Sequence, residues 1–171
     1  MPPLTPLHAA GFLRATATTV QAEVAALPST LAGCHPTPGA WCVNEILGHL
    51  IGADRRSFGG RLRSMLDPAD RRYLAWERVA PERDEPDCER DPTELLQEFL
   101  ALRVANVDLV AHVSPDDLRR SREDPRVGVI RVADLLHDWV YHDRDHLRQL
   151  LANVQAAVWP HLGNARRYYE R

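Results

Sequence analysis

At 171 residues the chain is long enough to bury a core without staples, and it reads as a single domain over 1–171. A hydrophobic share of 44% beside 26% charged residues excludes disordered and fibrous classes. The net charge of −3 offers no field that would gather nucleic acid or an anionic membrane.

No run approaches the roughly 18 apolar residues of a membrane span. The opening Met1-Pro2-Pro3-Leu4-Thr5-Pro6 lacks the basic and then apolar pattern of a secretory signal, so a cytoplasmic protein is expected. All 21 basic residues are arginine, which lowers the weight of any single arginine as a signal.

From Pro6 to about Leu27, Leu7, Ala10, Leu13, Ala17, Val20, Val24 and Leu27 share one broad helical face. Thr5 is placed to cap that helix and Pro6 to open it, with Pro28-Ser29 as its stop. His8 falls in the first turn and reads as a solvated side chain. Gly33 to Ala40 is a loop by its prolines and glycines. A second helix opens at Trp41, with Cys42 and Glu45 at the positions of a capping box that usually starts with a hydroxyl residue. Ile46, Leu47, Leu50, Ala53, Phe58, Leu62 and Met65 form its apolar side. Gly59-Gly60 predicts a kink or break before Asp67-Pro68 ends it.

Residues 67 to 91, dense in Pro, Asp, Glu and Arg, read as a long solvated link with a short turn around Tyr73 to Trp76. Cys88 in that link reads as an inert exposed thiol, and Cys34, Cys42 and Cys88 lack C-x-x-C spacing. Asp91 and Pro92 start a third helix carried by Leu95, Phe99, Leu102, Val107 and Val110. His112 complements the negative pole at its end. After the polar stretch from Arg119 to Gly128, a fourth helix runs from about Val132 to Val158, where Trp159-Pro160 stops it. No segment alternates with a period of two. The expected fold is all-α: a four-helix bundle with a long link between helices 2 and 3.

The stretch that carries chemistry is Tyr141-His142-Asp143-Arg144-Asp145-His146-Leu147-Arg148-Gln149 on the fourth helix. His142 and His146 are four apart, so they share a face about 6 Å apart along the axis. His49 lies at the apolar edge of the second helix. Bundles hold metals with side chains that project inward from facing helices, and three neutral imidazoles leave a position open for water or substrate. Zinc, nickel, copper and iron(II) all suit imidazole, so the donor type does not name the ion. The same spacing fits three core-edge histidines with satisfied rings, and spacing does not choose between the two. His137 lies about 140° round the helix from His142 and cannot join the same ion. Asp138 and Asp145 read either as supports for an imidazole or as solvated carboxylates.

Arg55 and Arg56, with Arg61 and Arg63, make a basic stretch that reads as a solvated face or as a grip on an anionic substrate. The His-Asp pairs at 137–138 and 142–143 lack the further ligands of an HD-type phosphohydrolase. No nucleophile elbow, P-loop or dinucleotide fingerprint is present.

Trp41-Cys42-Val43-Asn44-Glu45-Ile46-Leu47-Gly48-His49-Leu50 resembles the tryptophan-led, histidine-bearing segment of the DinB/YfiT-like superfamily. Residues 141 to 150 resemble its second signature, an H-x3-H helix ending in Gln. The two segments fall on the second and fourth helices, so the resemblance covers nearly the whole chain. Cys42 departs from the Ser or Thr common after the tryptophan. The resemblance implies an up-down-down-up bundle, often a homodimer, with His49, His142 and His146 as ligands of a divalent transition metal (zinc, nickel or iron). It further implies a metal-dependent transferase or isomerase that activates a low-molecular-weight thiol of the bacillithiol, mycothiol or glutathione type for attack on an electrophile. On that reading Arg55, Arg56 or Arg144 would hold a substrate carboxylate. The alternative is a non-enzymatic, stress-related metal-binding bundle or dimerisation scaffold.

Overall fold

The computed structural model describes residues 2–70 and 86–170, and the turn expected around Tyr73 to Trp76 lies outside them. Thr5 caps α1 (Pro6–Ala26): its hydroxyl accepts from the His8 amide, and His8 Nδ1 accepts from the Thr5 amide. A single turn, Ser29–Ala32, follows. At the next helix Cys42 takes the place of the usual hydroxyl. Its Sγ accepts from the Glu45 amide at 3.4 Å, and the Glu45 carboxylate accepts from the Cys42 amide at 2.9 Å, which opens α2 (Val43–Gly52).

The second rod of the bundle then changes pitch just ahead of its glycines. Ala53–Ser57 forms one π-helical turn, with the Phe58 amide donating to the Ala53 carbonyl at 2.8 Å, before α3 (Gly59–Leu66) resumes the rod. Gly59 is what permits this, because a Cβ there would run into the Asp54 carbonyl and lie 2.6 Å from Asn106 Oδ1. The wider turn carries both Asp54 and Phe58 into the core.

Asp91 caps α4 (Pro92–Ala111) by accepting from the Thr93 amide at 2.8 Å. The last rod is α5 (Val132–Val158). Between these two helices the all-α bundle carries a short hairpin that the sequence reading does not include. β1 (Ser121–Asp124) and β2 (Gly128–Arg131) pair antiparallel, with Ser121 opposite Arg131 and Asp124 opposite Gly128. Four residues per strand are too few for a period of two to stand out. The hairpin rests on turn chemistry: Asp124 Oδ1 accepts from the Arg126 amide at 2.8 Å, and Gly128 sits at φ 80°.

α1 packs along α4 and α5, and α2 packs along the same two helices. Contacts at both ends give the directions. Leu4 meets His137 and Phe12 meets Arg144, so α1 and α5 run parallel. Trp41 meets Asn153 and Phe58 stacks on Trp139, so the second rod opposes α5. Asn44 meets Arg90 and Arg63 meets Asn106, so α4 runs with the second rod. The bundle is therefore up-down-down-up. Two parallel rods consecutive in sequence end and begin at opposite ends of the bundle, so the chain between Leu66 and Pro92 has to be long.

Among the described residues the core falls into two apolar blocks. One holds Leu13, Phe58, Leu62, Val110, Leu135 and Trp139; the other holds Val20, Ile46, Leu50, Leu95, Phe99 and Leu147. Between them lies a polar layer of Thr16, Asp54, Arg103 and Asp143, each at most 1% exposed. Arg103 donates from Nε and Nη2 to the two oxygens of Asp54 at 2.8 Å each, and from both Nη atoms to Asp143. Nη1 also reaches the Leu13 carbonyl at 3.4 Å. The guanidinium lies against the rings of Phe99 and Trp139 at 4.9 and 5.9 Å. One side chain on α4 thus ties all four rods.

Ions buried this deeply cost several kcal/mol each, and only a complete set of partners offsets that cost. Arg103→Ala leaves two buried carboxylates without a cation, so urea unfolding should show a loss of about 3–5 kcal/mol. Arg103→Lys should recover only part of the loss, because an ammonium cannot reproduce the planar fork. An unchanged midpoint in the alanine variant would show that the layer holds nothing together.

Candidate metal centre

The three histidines come from two antiparallel rods. His49 sits in the last turn of α2, and α5 presents His142 and His146 on one face. One ligand atom from each lies within 4.8 Å of the others. His49 Nε2 and His142 Nε2 are 2.9 Å apart. Two nitrogens on one tetrahedral zinc, each about 2.0–2.1 Å away, stand about 3.3 Å from one another, so only a small displacement separates this pair from shared ligation.

His146 lies 4.4 Å, ring centre to ring centre, from both partners. Its Nδ1–H donates to Gln149 Oε1 at 2.9 Å, which leaves the lone pair on Nε2. Burial, and then the neighbouring His142, hold this imidazole below the ordinary histidine value. It is therefore neutral at pH 7, as a ligand must be. His142, with a side chain 13% exposed, has Asp143 Oδ1 at 3.9 Å from its Nδ1. That is too far for a hydrogen bond but near enough for the carboxylate's field to act on the ring. Burial alone would raise Asp143, but Arg103 overrides it and keeps the carboxyl below its usual range.

Aromatic rings wall the cluster. Trp41 stacks on His146 at 5.8 Å with 7° between planes and tilts over His49 at 4.9 Å. Phe58, brought inward by the π turn, meets His142 edge-on at 5.0 Å.

Of the two readings of Asp138 and Asp145, the structure fits the solvated one. Asp145 pairs with Arg148 on its own helix. Asp138 is exposed, in the field of His142 and Arg61. Gln149, three residues after His146, holds that ring instead, and the i,i+3 spacing was the available signal. His137 is a structural link, since its Nδ1–H donates to the Ala133 carbonyl at 2.7 Å and its Nε2 accepts from the Leu4 amide at 2.9 Å. Arg55 is exposed and bonds Glu98 at 2.7 Å. Arg144, about 200° round the helix from His142, donates to the Phe12 carbonyl at 2.7 Å and to Thr16. Arg56 is half-buried on the π turn.

Asp54 and Arg103 went unnoticed in the sequence, and Asp143 stands out there only as half of a His-Asp pair. Their signal was position: each stands four residues from a core side chain on either hand (Leu50 and Phe58, Phe99 and Val107, Trp139 and Leu147).

Residues 12–150 match the family model of the DinB superfamily. The chain belongs to that superfamily. This DinB-superfamily bundle is similar in structure to YfiT from Bacillus subtilis, described as a probable metal-dependent hydrolase with an unusual four-helix bundle topology. The TM-score is 0.68 at 18% identity, over 86% of this chain and 84% of that one, a likeness of fold. No curated protein matches. Among the described residues no helix is long and apolar enough to cross a membrane.

In metal-free protein, NMR titration of His146 should give a midpoint below the ordinary histidine value of about 6.5. A base whose folded value is depressed takes up its proton more readily when unfolded. Metal-free stability should therefore fall as pH drops from about 6.5 toward that midpoint. A His146 midpoint above 6.5 would show that the ring is neither buried nor crowded.

Proposed function

We propose that this DinB-superfamily protein holds one divalent transition metal (zinc, nickel or iron) on His49, His142 and His146 and uses it to activate a low-molecular-weight thiol for attack on an electrophile. The observation that carries this reading is the convergence of three imidazoles, with the His146 tautomer already set by Gln149, between aromatic walls. A metal bound there would deprotonate a coordinated thiol, whose free pKa is about 8.5, and supply a thiolate at neutral pH.

The chain's own residues do the rest. Gln149 orients one ligand, and Asp143, kept ionised by Arg103, adds negative charge beside another. Trp41 and Phe58 exclude water and limit movement of the rings. Arg55 and Arg144 are engaged with Glu98 and with α1. The donor cluster contains no cysteine, so the nucleophile is the added thiol. A second reading, hydrolysis, draws support from the description of YfiT: the same donor set would bring the pKa of water to about 7.

Metal analysis should find about one ion per chain, a three-imidazole site being one that also keeps a position open. His49→Ala, His142→Ala and His146→Ala should each lose it, and His137→Ala should keep it. Gln149→Leu should weaken binding roughly 10- to 100-fold, the usual consequence of removing the partner of a ligating histidine. Full metal in His49→Ala would mean that the two rods do not share an ion.

A conjugation assay across bacillithiol, mycothiol and glutathione then separates the chemistries. Thiol transfer should persist well below pH ~8.5 and vanish with chelator. Ester or amide hydrolysis without added thiol would select the second reading. Fully metallated protein that does neither would point to the stress-related scaffold.

A further inference from the structure

A second group of reactive side chains lies at the N-terminal end of α2, apart from the three histidines. Cys42 Sγ and Cys88 Sγ are 2.7 Å apart, Cys88 Sγ is 3.5 Å from His35 Nε2, and His35, Glu45 and Cys88 form a cluster of their own. Cys88 is therefore not the isolated exposed thiol expected from its place in the link. It is half-buried on a short 3-10 turn, Asp87–Glu89, and Cys42 is completely buried.

The turn is docked without help from either sulfur. Asn44 Nδ2 donates to the Arg90 carbonyl at 2.8 Å and to the Cys88 carbonyl at 3.4 Å. Gly33 and Gly48 let it approach closely, since a Cβ at the first would strike the Cys88 carbonyl and at the second the Asp87 carboxylate. The two sulfurs are thus held face to face before any bond forms between them.

We propose that Cys42 and Cys88 are a reversible dithiol–disulfide pair, oxidised by low-molecular-weight disulfides, with His35 as the base. His35 Nδ1–H donates to the Ala40 carbonyl at 2.8 Å, so Nε2 presents its lone pair to Cys88. Burial pushes both thiols above the ordinary value, so the reduced pair rests protonated and its reaction waits on that base. His35 takes the Cys88 proton, and the thiolate attacks one sulfur of the external disulfide and expels the first small thiol. Cys42, the buried partner, then attacks Cys88 Sγ in the mixed disulfide and expels the second. The protein loses two hydrogens, and one external disulfide becomes two thiols.

For the two sulfurs, spacing favours a bond over shared ligation. Two thiolates on one zinc, each about 2.3 Å from it, would stand about 3.8 Å apart, whereas a disulfide closes to about 2.05 Å. His35 Nε2 and Cys88 Sγ, 3.5 Å apart, would also fit one ion, so the test includes metal content. The bond would fasten the docked turn to the residue next to Trp41, the indole that packs on His49 and His146.

The test exposes the full chain to excess oxidised glutathione and reads intact mass and peptide maps. Wild type and Cys34→Ser should lose two hydrogens and yield a peptide linking Cys42 to Cys88, reversibly with dithiothreitol. Cys42→Ser should stop at a glutathione adduct on Cys88, and Cys88→Ser should leave Cys42 unmodified. His35→Asn should slow linkage roughly tenfold at pH 7, with the difference narrowing as pH rises and the thiolate forms without a base. Wild type that keeps both thiols after equilibration, or carries glutathione on Cys34 alone, overturns the proposal. So does purified protein with a second ion that survives loss of the three histidines and disappears in Cys88→Ser.

Discussion

A guanidinium with two carboxylates, sealed between two apolar blocks, sets the geometry on which the rest of this bundle depends. Arg103 satisfies Asp54 on the second rod, Asp143 on the last and the Leu13 carbonyl on the first. A hydrophobic interface tolerates small rotations and slips, because its attraction is non-directional. A buried fork with fixed donor directions does not. Asp143 is the neighbour of His142, so the clamp that holds the carboxylate also fixes the rotation of α5 that presents its two histidines. Asp54 anchors the π turn in the same way, and that turn places Phe58 against His142.

The candidate metal centre is thus built on rigid elements, with a support behind each ring. Gln149 holds His146, Asp143 stands beside His142, and Trp41 packs on both His146 and His49. Trp41 is held in turn by the Asn153 side chain on its carbonyl and by the Cys42–Glu45 capping box that follows it. The end of α2 therefore serves two places at once: the indole faces the histidines, and the Cys42 sulfur faces the docked turn at Cys88. Both depend on the same helix cap.

Several features escaped the sequence for reasons that can be named. The hairpin over residues 121–131 is made by an Asp-Pro turn and a glycine with positive φ, in strands too short to display alternation. The π turn has no residue signature of its own. Gly59-Gly60 marked the right neighbourhood, where Gly59 also permits a close approach to Asp54 and Asn106. Arginine supplies every basic residue in the chain, so nothing in composition set Arg103 apart from the solvated arginines around it. Only its position in an apolar row did.

The sequence by itself determined the helical rods and their caps, because periodicity and capping are local and need no knowledge of the partner. It also determined that His142 and His146 share a face, since four residues on one helix allow nothing else. Only the tertiary structure decided that His49 meets them, that Gln149 and not Asp145 supports His146, and that Cys88 lies against Cys42 across the long link. Each of these joins residues whose separation depends on how whole helices rotate and dock. That rotation is set by a buried ionic layer drawn from residues 54, 103 and 143, and no local pattern announces their meeting.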